Sequence, residues 1–313
     1  MPSWQSRLVN FALRNRHLLK FHLRRETWDW ATSIPAFREA CEKGAAKTRL
    51  PAGIDVSPVA IEGLPASLAA EWIRLSGASE KMQYDPVIFY THGGGYVSGS
   101  CSDHRGFVAK FVQGSGVSAL LYEYRLAPEH PYPAALEDTL TAYRWLLNQG
   151  TPPARIVIAG ESAGGGLCLA TLLALRDQGT PLPAAAVALS PWTDLKLTGE
   201  SVRTRARVAI DPPGMSTVCS KYYAGDHDPG LPWISPLYGD LHGLPPLLIC
   251  VGNDEMGRDD STRFAEKATA AGVNVTLRIG EGMVHCYPLF APLFPEATEA
   301  MQAIGAFITA HAR

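Results

Sequence analysis

The stretch Arg155-Ile156-Val157-Ile158-Ala159-Gly160-Glu161-Ser162-Ala163-Gly164-Gly165-Gly166-Leu167-Cys168-Leu169-Ala170 runs from a short apolar segment through a glycine-flanked serine into a second apolar segment. Ile156–Ala159 is too short for a helix and rich in β-branched residues, so it reads as a buried strand. Residues 163–178 are long enough for a helix, and Gly179 follows in the position just past a helix end that favours glycine. Between the two, Gly160 and Gly164 remove side chains that would clash in a sharp strand-to-helix turn. Such a turn lifts the Ser162 hydroxyl above the sheet edge, next to the partial positive charge of a helix N-terminus. Phosphate-binding glycine loops fit less well: no lysine follows in the Walker spacing, and Ser162 stands where a dinucleotide loop needs its second glycine.

The same strand-then-helix rhythm extends in both directions. Residues 54–61 and 70–75 read as a strand pair, residues 87–90 and 117–124 as short apolar strands, and residues 184–189, 247–251 and 273–279 as further strands. Helical spacing covers residues 107–113, 134–149, 261–271 and 296–312. Alternation of this kind with uninterrupted apolar strands predicts an α/β fold, a mostly parallel sheet with helices on both faces. Residues 195–240 break the rhythm with five prolines yet hold Tyr222, Tyr223, Trp233 and Ile234, which argues for an ordered insertion rather than disorder.

Composition sets the outer limits. With 313 residues and 46% hydrophobic content the chain can bury a full core without disulfide or metal staples. A net charge of -2 argues against a nucleic-acid binder. The six cysteines, at 41, 101, 168, 219, 250 and 286, form no C-x-x-C pair, so neither a zinc site nor a disulfide framework is expected and a reducing, cytoplasmic setting fits. No apolar run is long enough to span a membrane. Residues 1–25 carry Arg7, Arg14, Arg16, Lys20, Arg24 and Arg25 and no acid. The charges interrupt the apolar residues, which excludes a secretory signal. A helix packed over a pocket is the favoured reading, with a transit peptide or an amphipathic helix on an anionic lipid surface as alternatives.

A second motif, His92-Gly93-Gly94-Gly95, directly follows the strand at 87–90. Three bare backbone amides in a row suit an oxyanion-binding loop, with His92 bracing the loop rather than reacting. Together the two motifs resemble the hormone-sensitive-lipase-like branch of the α/β-hydrolases. The resemblance extends through Tyr124-Arg125-Leu126-Ala127-Pro128-Glu129-His130, Tyr132-Pro133-Ala134-Ala135-Leu136-Glu137-Asp138, Ser190-Pro191-Trp192-Thr193-Asp194 and Gly282-Met283-Val284-His285, and covers about residues 54–312. Glu123 and the segment Asn253-Asp254-Glu255-Met256 depart from the usual pattern, which has Asp before Tyr-Arg and Asp-Pro-Leu in the second place.

The resemblance implies an α/β-hydrolase fold with a helical cap: residues 1–53 as an N-terminal cap segment and 54–313 as the catalytic domain, with 195–240 contributing to the cap. The chain order Ser, acid, His places the triad at Ser162, Asp254 and His285. His285 follows the last strand, and Asp254 is the first carboxylate past the strand at 247–251; its rivals are Glu255, Asp259 and Asp260, of which Asp259 and Asp260 read as charges at a helix start. The oxyanion hole is implied to use amides of Ala163, Gly94 and Gly95, with His92 and Gly93 as loop support. Trp192, Met215, Tyr223 and Met256 are candidate pocket residues. The expected activity is hydrolysis of short- to medium-chain carboxylic esters through an acyl-enzyme, with a lactone or an acetylated small molecule as alternative substrates. A binding-only homologue is a remote alternative, because such members lack the histidine. No metal or organic cofactor is required. The expected partner is a small ester, with no nucleic acid and no integral membrane segment, and a homodimer is allowed.

Overall fold

A computed structural model describes residues 1–19, 26–45, 50–78 and 85–312. The chain opens with α1 (Trp4–Arg14), α2 (Arg16–Leu19) and α3 (Ile34–Ala45), then forms the antiparallel pair β1 (Ile54–Pro58) and β2 (Ala70–Leu75). Next come β3 (Val87–Thr91), α4 (Cys101–Ser115), β4 (Ser118–Tyr122), α5 (Ala134–Asn148), β5 (Ile156–Glu161), α6 (Ala163–Asp177) and β6 (Ala185–Leu189). The insertion contains α7 (Glu200–Thr204) and α8 (Met215–Ala224), and the chain ends with β7 (Leu247–Gly252), α9 (Arg258–Ala270), β8 (Val275–Gly280) and α10 (Pro295–His311). One eight-stranded sheet has the order β1-β2-β4-β3-β5-β6-β7-β8. From β4 to β8 every pairing is parallel, so the two antiparallel strands sit at one edge.

The period of two along each strand sorts the core into two halves. Val87, Phe89, Ile156 and Ile158 face one way and pack with Tyr143, Leu167, Leu172 and Phe264. Ile88, Tyr90, Val157 and Ala159 face the other way and pack with Phe111, Val112, Ile304 and Ile308. Burial on both faces is why β3, β5, β6 and β7 are apolar runs rather than alternating ones.

The expected helix at 107–113 starts earlier, at Cys101, because Ser100 and Asp103 form a reciprocal capping box that the apolar spacing does not report. α4 and α10 cross with Gly114 against Gly305. A methyl group built on Gly305 would stand 2.3 Å from the Gly114 carbonyl oxygen, which is backbone and can yield only by moving a helix. Gly305→Ala is expected to destabilise the fold by about 1–3 kcal/mol. Urea unfolding followed by circular dichroism checks this, and an unchanged midpoint would mean that the two helices separate freely.

Candidate active site

Four loops meet at the carboxyl ends of β3, β5, β7 and β8. At the end of β5 the backbone of Ser162 is forced to φ 57°, ψ −124°, a conformation rarely adopted by a residue with a side chain. Its amide donates to Leu189 O (2.8 Å), and its carbonyl accepts from Trp192 N (3.0 Å) and Gly166 N (3.0 Å). The flanking glycines are steric necessities: a Cβ on Gly160 would stand 2.3 Å from Thr91 Oγ1, and one on Gly164 would stand 2.2 Å from Thr91 O. The turn can therefore lie flat against the end of β3, and Ala163 begins α6 with an amide that has no partner inside the helix.

The glycine loop after β3 bends through Gly94 (φ 109°) and Gly95 (φ 64°), both at the wall of the same cavity as Ser162. Gly93 N donates to Glu161 Oε1 (2.6 Å), which also accepts from His104 Nε2 (2.9 Å). His104 Nδ1 in turn meets Asp103 Oδ1. Burial opposes a charge on His104, but the Glu161 and Asp103 carboxylates outweigh it and raise its pKa to about 10. His92 is buried, stacks on Tyr124 at 4.1 Å between ring centres, and bonds Gly93 O through Nδ1 (2.8 Å). Burial, with the neighbouring His104 charge, lowers its pKa to about 4, so it is neutral at physiological pH.

The acid facing His285 is Glu255, not Asp254. Glu255 is fully buried; its Oε2 meets His285 Nδ1, and its Oε1 accepts from Gly252 N (2.6 Å) and Ser190 Oγ (2.8 Å). Ser190 Oγ also accepts from Cys286 N (2.9 Å), so one hydroxyl ties the acid loop to the histidine loop. Asp254 spends its amide on Met283 O (3.0 Å), and its carboxylate turns outward to Arg14 Nη2 (2.7 Å). Being first past the strand was the wrong criterion: the chain folds back onto the Gly252 amide one residue later. Asp259 does sit in the first turn of α9 and accepts from Ser201 N (2.8 Å). Asp260, expected as a helix-start charge, is buried instead and accepts from Thr193 N and Asp194 N, both at 2.8 Å. Burial raises its pKa to about 8.

Ser162 and His285 line one cavity of about 320 Å³. Trp192, Met215 and Met256 are at its wall, with Leu197, Val202 and Phe290 adding apolar surface. Tyr223 is not: two turns beyond Met215 on α8, it is buried against Tyr96, with ring centres 3.6 Å apart. Among the described residues, the roof comes from 197–219 and none of residues 1–53 lines the cavity. The N-terminal segment instead backs the roof, Trp28 N donating to Pro213 O (2.8 Å) while Arg38 binds Val97 O and Ala127 O.

Comparison with known proteins agrees with this fold. The α/β-hydrolase fold family matches residues 88–289. The chain belongs to that family, in its hormone-sensitive-lipase-like branch. It is 44% identical over 241 residues to an acetyl-hydrolase of Streptomyces hygroscopicus, covering 76% of this chain and 79% of the relative. An esterase of Acinetobacter venetianus is 38% identical over 225 residues, covering 71% and 74%. The crystal structure of an esterase from the bacterial hormone-sensitive lipase family superposes with a TM-score of 0.88 at 38% identity, over 100% of both chains.

In this hydrolase the residues that the sequence does not single out are Ser190 and the Glu161–His104–Asp103 chain. Glu255 stands in the sequence as a rival of Asp254, and Ser190 stands inside a motif without a role of its own. His104 raised above the ordinary value of about 6.5 contributes stability that is complete below that value and is lost as pH rises toward 10. His104→Gln should therefore cost about 3 kcal/mol or more near neutral pH, with the difference from wild type shrinking between roughly pH 6.5 and 10. Urea unfolding at stepped pH measures it; a pH-independent difference would show that the pair carries no charge.

Proposed function

We propose that the protein is a serine ester hydrolase with Ser162, His285 and Glu255 as its triad. The observation that carries this reading is the fixed Glu255–His285 pair opening onto the same cavity as the strained Ser162 and the Gly94–Gly95 loop. His285 takes the hydroxyl proton as Ser162 attacks the ester carbonyl. Glu255, locked by Gly252 N and Ser190 Oγ, holds the imidazole tautomer with Nδ1 protonated and steadies the imidazolium that forms. The oxyanion is received by the amides of Ala163, Gly94 and Gly95. His285 then protonates the leaving alcohol, and water repeats the sequence to release the acid.

The apolar wall of Trp192, Met215, Met256 and Phe290 in a cavity of about 320 Å³ favours a short or medium acyl group. A narrower reading, deacetylation of a small molecule, is favoured by the relative named acetyl-hydrolase. Residues 195–240 serve as the cap, braced from the N-terminal segment by Trp28, and the six free cysteines support a reducing, cytoplasmic setting. Hydrolysis rates across an acyl-length series, with lactones included, discriminate these substrates.

Ser162→Ala should abolish turnover of an activated ester, and Glu255→Gln should lower kcat by roughly 10³–10⁴ because the imidazole tautomer is no longer held. Asp254→Asn, which removes an ion pair with the half-buried Arg14, should leave kcat within a few-fold and cost about 1 kcal/mol or less of stability. Steady-state kinetics on the three purified variants decide the assignment. An inactive Asp254→Asn beside an active Glu255→Gln would return the acid to Asp254.

Burial works against a charge on His285, but Cys286 and the carboxylates of Asp211 and Glu255 outweigh it and hold the ring well above the ordinary histidine range. The base works only when neutral, so kcat/KM should fall as pH drops through an inflection above about 6.5. The inflection should move to lower pH in Glu255→Gln, where one of the raising charges is gone. A wild-type inflection below 6.5 would contradict the arrangement.

A further inference from the structure

Helix α1 is mounted inside out. Of its polar side chains, Ser3, Ser6 and Asn10 face the protein alongside Val9: Ser6 and Asn10 are buried, Ser3 holds Glu296, and Asn10 Nδ2 donates to Gly282 O (2.8 Å). Its apolar stripe faces solvent. Trp4, Leu8 and Phe11, at i, i+4 and i+7, are 70%, 61% and 66% exposed, and Leu18 beyond the helix is 50% exposed. Apolar residues scattered singly on a surface need no explanation, but a continuous stripe led by tryptophan on one helix face does.

We propose that this face of α1 docks on an anionic lipid surface. The charge of the segment selects that occupant. Residues 1–25 contain six basic residues and no acid, and Arg7 and Arg16 are exposed beside the stripe. A second copy of the chain seated face to face would bring two such basic segments together, whereas anionic headgroups complement them. Tryptophan at the end of an amphipathic helix is suited to the headgroup boundary, where its ring is half solvated. The mounting also gives docking a consequence for the site. Through Asn10 and Arg14 the helix touches Gly282 and Asp254, three residues before His285 and one before Glu255. A membrane bound at α1 therefore lies beside the loops that carry the histidine and its acid.

The test is co-sedimentation of the full chain with vesicles of phosphatidylcholine mixed with phosphatidylglycerol, and with vesicles of phosphatidylcholine alone. Wild type should sediment with the mixed vesicles and less with the neutral ones, and raising the salt should release it. The triple variant Trp4→Gln, Leu8→Gln, Phe11→Gln should lose on the order of tenfold in binding while keeping its circular dichroism spectrum and its rate on soluble p-nitrophenyl acetate. Should that variant fail to fold, the double charge reversal Arg7→Glu, Arg16→Glu should lose binding without touching the apolar stripe. Absence of wild-type binding to the mixed vesicles overturns the proposal, as does equal binding to neutral ones or by the variants. So does a wild-type dimer in sedimentation velocity that the triple variant converts to monomer, which would assign the face to a second copy.

Discussion

The site depends on one backbone constraint: Ser162 must occupy a left-handed, strained conformation at the end of β5. A residue held there costs about 1–3 kcal/mol and persists only if its surroundings over-determine it. Here the amide is fixed by Leu189 O and the carbonyl by Trp192 N and Gly166 N, so β6 and the loop after it grip the turn. Contact between the turn and β3 is closer than any side chain allows, which fixes glycine at 160 and 164. The nucleophile position is thus a property of three strands, β3, β5 and β6, which lie side by side in the sheet.

Glu161 extends that grip to the loop opposite. It is the residue just before Ser162, and its buried carboxylate holds Gly93 N on one side and His104 on the other. His104 sits one residue beyond Asp103, which caps α4. A single chain of bonds therefore runs from the turn, through the glycine loop, to the start of a helix. Because Gly93 is anchored, the bends at Gly94 and Gly95 are set relative to Ser162 rather than free to wander. Ser190 does the same for the opposite wall, joining Glu255 to the histidine loop through one hydroxyl. Both braces are buried, where a hydrogen bond to a charged group is worth more than at the surface.

Most of the scaffold was legible because apolar period and glycine punctuation report local geometry. The parallel strands, the helix after Ser162 and the loop at 92–95 follow from residues adjacent in sequence. The acid did not, because the sequence places Asp254 and Glu255 at equal reach and only the turn decides which side chain folds inward. The segment Asn253–Met256 departs from the usual pattern at this turn, so the motif does not choose between the two carboxylates. Asp260 was misplaced for a related reason: its position at a helix start is compatible with solvent or burial, and the amides of Thr193 and Asp194 that select burial come from a distant loop. Tyr223 packs on Tyr96 rather than on the cavity because an aromatic residue's identity says that it packs but not against what.

The N-terminal helix states the same limit most sharply. Its spacing announces an apolar stripe and a polar stripe, and the ordinary rule sends the apolar one inward. In this fold the body offers it polar partners instead, Glu296 and the Gly282 carbonyl for Ser3 and Asn10, and a carboxylate, Asp254, for Arg14. Amphipathicity defines two faces but not which is inside; that is decided by what the receiving surface presents. The misassigned acid and the inverted helix are then one fact seen from two ends. The turn that sends Glu255 inward points Asp254 outward to Arg14, and Asp254, with the other polar groups, holds α1 with its apolar stripe toward solvent.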